Sequence, residues 1–172
     1  PGGDLNYHII QNLFDEDEAK FFIAELVLGI EHLHSLDIIY RDLKPENILI
    51  DLNNTIKICD FGVSKEIKNG QLLYDPCGTP AFVAPEVLGT TPYDPFKTDI
   101  WSCGVVLYSM VSGFFPFRGN NDYELHQSIL NGEYPLLVDV SVDLQDLIDK
   151  ILEVDVSKRI TLNDILNHKW LC

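Results

Sequence analysis

The run Tyr40-Arg41-Asp42-Leu43-Lys44-Pro45-Glu46-Asn47, followed thirteen residues after Asn47 by Asp60-Phe61-Gly62, is the most specific stretch of the chain. Between the two lie short β-rich runs, Ile48-Leu49-Ile50 and Ile56-Lys57-Ile58-Cys59, separated by the turn formers of Asp51-Leu52-Asn53-Asn54. The pattern predicts a small β-hairpin with a polar motif at each end. A lone Asp in such a place usually caps a turn. Asp42, Lys44, Asn47 and Asp60 together supply two carboxylates, an ammonium and an amide oxygen, and they are expected to converge at an open edge of the molecule.

On the N-terminal side, Asp15 and Glu18 form a D-x-x-E capping box, which predicts a helix start. Ala19, Ile23, Leu26, Ile30 and Leu33 then recur at helical spacing, so one stripe of a long helix ending near Ser35 is expected to be buried. On the C-terminal side, residues 62 to about 95 are rich in Gly, Pro, Asp and Thr and read as a long irregular segment, interrupted by a helical turn near Pro85. After Lys97 the residues Ile100, Trp101, Gly104, Val105, Leu107, Tyr108 and Val111 leave almost no polar face, which predicts a central helix stopped at Gly113. Further helices are expected from Asn121 to Asn131 with Gly132 as terminator, after Ser141 over Leu144, Leu147, Ile148, Ile151 and Leu152, and after Thr161. The expected fold is mainly α, a helical bundle with one small β-hairpin.

A chain of 172 residues with 46% hydrophobic content can bury one core. Its 27 acidic residues against 12 basic ones give a formal charge of −15, which repels nucleic acid and anionic membrane surfaces. Basic peptides suit that charge better, although the simpler account is a solvated acidic surface. No apolar run approaches the ~18 residues of a membrane span, and no signal peptide is visible. Cys59, Cys77, Cys103 and Cys172 are scattered without zinc spacing and read as free thiols in a reducing, cytoplasmic setting. Pro1 is the first residue and Met110 the only methionine, so the chain is expected to be a piece of a longer product.

The block at 40–47 with Asp60-Phe61-Gly62 resembles the catalytic loop and DFG motif of eukaryotic Ser/Thr protein kinases. The family usually has His where this chain has Tyr40, a replacement also typical of the cyclic-nucleotide-dependent group. The resemblance covers nearly the whole chain and implies the C-terminal lobe of a kinase catalytic domain, residues 1–172. It implies transfer of the γ-phosphate of ATP to protein Ser or Thr, with ATP and Mg²⁺ as cofactors. Phosphoryl transfer needs a proton acceptor near the attacking hydroxyl and cations near the phosphate, and the residue types are right. Asp42 would accept the proton, Lys44 would sit against the phosphoryl group, and Asn47 and Asp60 would offer hard oxygens to the metal.

Gly78-Thr79-Pro80-Ala81-Phe82 and Ala84-Pro85-Glu86 resemble the end of an activation segment and its APE motif. Thr79, with Asp42 and Lys44, completes the expected catalytic set and implies a Ser/Thr acceptor. Pro1-Gly2-Gly3-Asp4-Leu5 resembles the segment after the hinge between lobes. The expected cofactor-facing set is therefore Asp4, Glu46, Asn47, Leu49 and Asp60. The alternatives are a helix cap for Asp4 and a strand core position for Leu49. Glu86 is expected to pair with Arg159, and Asp99 of the Asp-x-Trp-x-x-Gly element to hold the catalytic-loop backbone. Four residues before Thr79, where many related kinases carry a phosphorylated Thr, stands Asp75, expected to pair with Arg41. Glu46 and Asp4 fit a preference for basic substrates, weakened by Ser109 where strongly basophilic relatives have Glu.

The 172 residues contain no Gly-rich loop followed by valine and no Ala-x-Lys strand with a helical Glu partner. Kinases need both for turnover, so the N-terminal lobe of a parent chain is an expected partner and the chain alone is expected to turn over little ATP. The competing reading is a truncated, catalytically silent kinase-like scaffold that binds protein partners. It offers no reason for Asp42, Lys44, Asn47 and Asp60 to stand together. Tyr40 and the run from His34 to Ile39 resemble the cyclic-nucleotide-dependent type, whereas Pro80-Ala81-Phe82 and the ending at Trp170 resemble the calmodulin-kinase-like type.

Overall fold

The computed structural model describes residues 2–68 and 70–172, so Pro1 of the expected post-hinge segment lies outside the described residues. Asp4 caps helix α1 (Leu5–Gln11), its carboxylate accepting from the Tyr7 N–H at 2.7 Å. Helix α2 (Glu16–Ser35) opens with the expected capping box: Asp15 accepts from the Glu18 N–H at 2.9 Å and Glu18 accepts from the Asp15 N–H at 3.1 Å. Ala19, Ile23, Leu26 and Ile30 are buried on its inner stripe, with Leu33 partly so.

Four short strands follow α2: β1 (Ile38–Ile39), β2 (Ile48–Ile50), β3 (Ile56–Ile58) and β4 (Lys65–Glu66). The predicted hairpin is β2–β3, with Ile48 opposite Ile58 and Ile50 opposite Ile56. A second antiparallel pair, β1 with β4, sets Ile38 opposite Glu66. The expected hairpin is thus present, and this second, non-local pair is added to it. Two-residue strands carry no readable alternation, and their pairing closes across 26 residues through non-local contacts. The segment expected to be irregular also holds 3₁₀ turns at Pro80–Phe82 and Pro85–Leu88 and an isolated bridge between Leu73 and Tyr93.

Helix α3 (Pro95–Ser112) is buried along nearly its whole length and stops at Gly113, whose φ of 75° is left-handed. Helices α4 (Asp122–Asn131), α5 (Val142–Ile151) and α6 (Leu162–Leu166) begin at the side-chain caps Asn121, Ser141 and Thr161. α3 packs between α2 and α5 and forms the centre of the core. Glu16 ties the periphery together, accepting from Ser141 N–H and O–H and from the Trp170 indole at 2.6 Å. Among the described residues no helix is long and apolar enough to cross a membrane, and all four cysteines are free thiols.

The closeness of α3 to α5 depends on Gly104. A Cβ there would lie 2.5 Å from Cγ2 of Ile151 and 2.9 Å from Cδ2 of Leu152. Gly104→Val is expected to destabilise by at least about 2 kcal/mol through overpacking, or roughly 4–8 °C in melting temperature for a domain of this size. Thermal unfolding followed by circular dichroism measures it; an unchanged midpoint would mean that the two helices separate freely.

Candidate active site

The turn at residues 40–47 is built on α3. Asp99, 1% exposed, accepts from the Tyr40 N–H and the Arg41 N–H at 2.9 Å each, and its Oδ2 is also bonded to His34 Nε2 of α2 at 2.8 Å. Those bonds hold Arg41 in the left-handed region, φ 73°, which costs a non-glycine residue free energy and persists only where the surroundings enforce it. Asp99 was expected from the sequence. His34 was not: nothing in the local pattern around it signals a partner 65 residues away.

Tyr40 is the other fastening. Its hydroxyl donates to the Cys59 carbonyl, and its ring meets Phe61 edge-to-face at 5.4 Å. Burial, with the nearby Cys59, Asp42 and Asp60, pushes the phenol pKa well up, so the donor stays protonated. The Cys59 N–H in turn donates to the Asn47 carbonyl at 2.9 Å. The two motifs are thereby joined at the ends of β2–β3.

Within the turn, Asn47 closes the 3₁₀ segment Pro45–Asn47, and its amide nitrogen donates to the Asp42 carbonyl at 2.9 Å and to Asp42 Oδ2 at 3.2 Å. The Lys44 ammonium lies 3.2 Å from the same Oδ2. Thr79 completes the cluster: its hydroxyl and its N–H donate to Asp42 Oδ1 at 2.7 and 3.1 Å, while its oxygen accepts from Lys44 at 2.9 Å. Gly78 permits this approach, because a Cβ there would sit 2.7 Å from the Arg41 carbonyl and its φ is 113°. Asp42, Lys44, Asn47 and Thr79 thus form one hydrogen-bonded group.

Asp60 is exposed, with φ 61°, and one carboxylate oxygen accepts from the Gly62 N–H at 3.2 Å. It follows Cys59 directly, which brings it to the end of the hairpin where Asn47 lies, though no hydrogen bond joins it to the Asp42 group among the described residues. The Asn47 amide nitrogen is committed to Asp42, which leaves the amide oxygen as the unused end. That oxygen and the second Asp60 oxygen are hard donors of the kind a magnesium ion takes. Among the described residues no group of three or more His, Cys, Asp or Glu side chains is placed to hold a metal. A cation at such oxygens would draw its remaining ligands from water and phosphate.

Of the other expected residues, Asp4 and Leu49 meet in a backbone bridge, and the Gly2 N–H and Ile50 N–H exchange bonds with the Ile50 and Gly3 carbonyls at 3.0 and 2.9 Å. Asp4 does cap α1, as the structural alternative had it. Leu49 is 41% exposed, so it is an apolar residue on the open face of the hairpin and not a core position. Glu46 is exposed beside the buried Pro45.

Two ion pairs brace the surrounding segment. Arg159 Nη1 and Nη2 clamp the Glu86 carboxylate at 2.6 and 2.9 Å, with the Arg159 side chain fully buried. Arg41 donates from Nη1 to Asp75 at 2.7 Å and from Nε to the Val63 carbonyl at 2.7 Å, while the Tyr93 hydroxyl holds the Asp75 carbonyl at 2.7 Å. The bond from Arg41 holds the Asp75 carboxyl below the usual carboxylate range. A depressed acid stabilises the fold above its ordinary pKa, near 4, and that contribution disappears as the pH falls through the lowered value. Asp75 is 55% exposed, so Asp75→Asn is expected to cost under about 1 kcal/mol of global stability. Amide exchange over residues 73–79 is nevertheless expected to rise at pH 7 and to converge on the parent as the pH falls through the lowered Asp75 value; identical exchange at pH 7 would refute the clamp.

Comparison with known proteins identifies the family. Residues 1–171 match the protein kinase domain family, and the chain belongs to the eukaryotic Ser/Thr protein kinase family. It is 44% identical over 172 residues to CBL-interacting protein kinase 26 of Oryza sativa subsp. japonica, covering 98% of this chain and 35% of that protein. It is also 44% identical over 162 residues to cAMP-dependent protein kinase type 3 of Saccharomyces cerevisiae, covering 91% and 40%. CBL-interacting serine/threonine-protein kinase 5 of Arabidopsis thaliana is 40% identical over 173 residues, covering 99% and 39%. The chain spans well under half the length of each of these relatives.

Proposed function

We propose that residues 1–172 form the C-terminal lobe of a Ser/Thr protein kinase catalytic domain and transfer the γ-phosphate of ATP to Ser or Thr of protein substrates. The observation that carries this reading is the closed network of Asp42, Lys44, Asn47 and Thr79 at the end of the hairpin. Asp42 orients the acceptor hydroxyl and takes its proton at a carboxylate oxygen. Lys44 places a fixed positive charge beside the transferring group, and Thr79 holds Asp42 and Lys44 in register from the activation segment. Magnesium, held by Asn47 and Asp60, would supply charge neutralisation at the phosphates. Leu49 offers an apolar surface to the adenine, Asp4 lies beside it for the ribose, and Glu46 belongs to the same nucleotide- and peptide-facing edge.

The other face of the nucleotide requires a phosphate-covering lobe, since the Gly-rich loop and its Lys are not in these residues. The thiols and the acidic surface suit a cytoplasmic protein that acts on other proteins and not on nucleic acid or membranes. Asp75 supplies a fixed charge to Arg41, so dependence on activation-loop phosphorylation is weak. Activity restored only by phosphorylating Ser64 or Tyr74 would remove that last element.

The binding half of the proposal is tested by titrating ATP into the chain with and without Mg²⁺. Asp60→Asn and Asn47→Ala are each expected to weaken the magnesium-dependent part by about tenfold or more, that is ~1.4 kcal/mol. Nucleotide binding indifferent to magnesium and to both substitutions would overturn the assignment.

A further inference from the structure

The segment that delivers Thr79 to Asp42 has little buried surface of its own. Leu73 is buried, but Tyr74, Asp75, Pro76 and Gly78 are all exposed, and among the described residues 74–78 make no backbone–backbone hydrogen bond. Side-chain contacts therefore fix its path. Two of them are the Arg41 bond to Asp75 and the Thr79 bond to Asp42. The third comes from Tyr93, 6% exposed, which makes reciprocal backbone bonds with Leu73 at 3.0 Å each and donates its hydroxyl to the Asp75 carbonyl at 2.7 Å.

Tyr93 stands directly before Asp94, the N-cap of α3. Asp99, in the second turn of the same helix, holds the Tyr40 and Arg41 backbone, so one end of α3 carries both sides of the contact between Asp42 and Thr79. The phenol grips a backbone carbonyl, so its hold depends on no charge and on no property of the Asp75 side chain. Burial, with Asp75 nearby, pushes the Tyr93 pKa up, which keeps the donor protonated through neutral pH. Only Pro76, Cys77 and Gly78 lie between Asp75 and Thr79. The ring of Pro76 fixes its φ, and a Cβ at Gly78 would sit 2.7 Å from the Arg41 carbonyl, so the segment runs close against the turn with little room to absorb a shift at Asp75.

Resting on the kinase reading of this site, we propose that Tyr93 is a positioning residue for phosphoryl transfer, its hydroxyl acting through the Asp75 carbonyl to keep Thr79 on Asp42 and Lys44. It touches neither substrate nor nucleotide. Removing the hydroxyl leaves the ring in its buried place and both backbone bonds to Leu73 intact, so the consequence is confined to the path from residue 75 to residue 79. Leu49 and Asp60, on the nucleotide side, are untouched by it.

The variant is Tyr93→Phe, and its first test is amide exchange on the purified chain. Exchange between residues 74 and 79 is expected to rise roughly three- to tenfold, the worth of one hydrogen bond, while the amides of α3 stay as protected as in the parent. The second test uses a form of the protein that transfers phosphate. There kcat is expected to fall roughly three- to tenfold with the KM for ATP unchanged. In a Thr79→Val background the same substitution is expected to add no further loss, because the effect runs through Thr79. A merely structural role would lower the rate by the same factor in both backgrounds, and that result would overturn the proposal. Unchanged exchange between 74 and 79, or a raised KM for ATP at constant kcat, would overturn it as well. Faster exchange there in a protein of which no form transfers phosphate would sink the kinase reading and still support Tyr93 as the residue that holds Thr79 in place.

Discussion

Replacing Arg159 by methionine is expected to destabilise the chain by roughly 3–5 kcal/mol, because it strands the Glu86 carboxylate that the guanidinium clamps. That cost corresponds to a fall of roughly 6–20 °C in melting temperature for a domain of this size. The geometry explains the size of the effect. Arg159 is bidentate to Glu86, donates from Nε to the Glu153 carbonyl at 2.9 Å and from Nη1 to the Lys97 carbonyl at 3.0 Å, and lies 5.0 Å from the Trp101 ring. One side chain therefore joins the 3₁₀ turn at Pro85–Leu88, the start of α3 and the loop after α5. Chemical denaturation measures the loss. The double variant Glu86→Leu/Arg159→Met is expected to recover part of it, since it removes the unpaired charge along with its partner. A double variant as unstable as the single one would place the cost in lost packing around Trp101 and not in the stranded carboxylate.

The second large effect is chemical. In a form of the protein that transfers phosphate, Asp42→Asn is expected to lower the rate by roughly 10²–10⁴, the span of general acid–base contributions. Asparagine keeps the shape and one oxygen, so the Thr79 hydroxyl still has an acceptor, but the proton acceptor is gone. Peptide and nucleotide affinities are expected to change by no more than a few fold. Radiolabelled phosphate transfer under single-turnover conditions, beside equilibrium binding, separates the two. A variant that loses binding and rate together would make Asp42 a positioning residue for the turn.

Much of this was legible in the amino-acid order because the relevant signals are local. The capping box at Asp15 and Glu18, the stop at Gly113 and the caps at Asn121, Ser141 and Thr161 each involve residues within four positions of one another. The hairpin between the two motifs was readable for the same reason. What escaped was non-local or too short to carry a period: the β1–β4 pair and His34 on Asp99.

The sequence by itself determined which chemistry-bearing residues exist, their order, and the local turns and caps that present them, because backbone propensity and capping act over a few residues. Only the tertiary structure decided that His34 joins Asp99 across 65 positions, that Ile39 pairs with Lys65, and that Leu49 faces outward. Those outcomes depend on how α3 packs against α2 and α5. Packing is a property of the whole buried set, which no short window of residues contains.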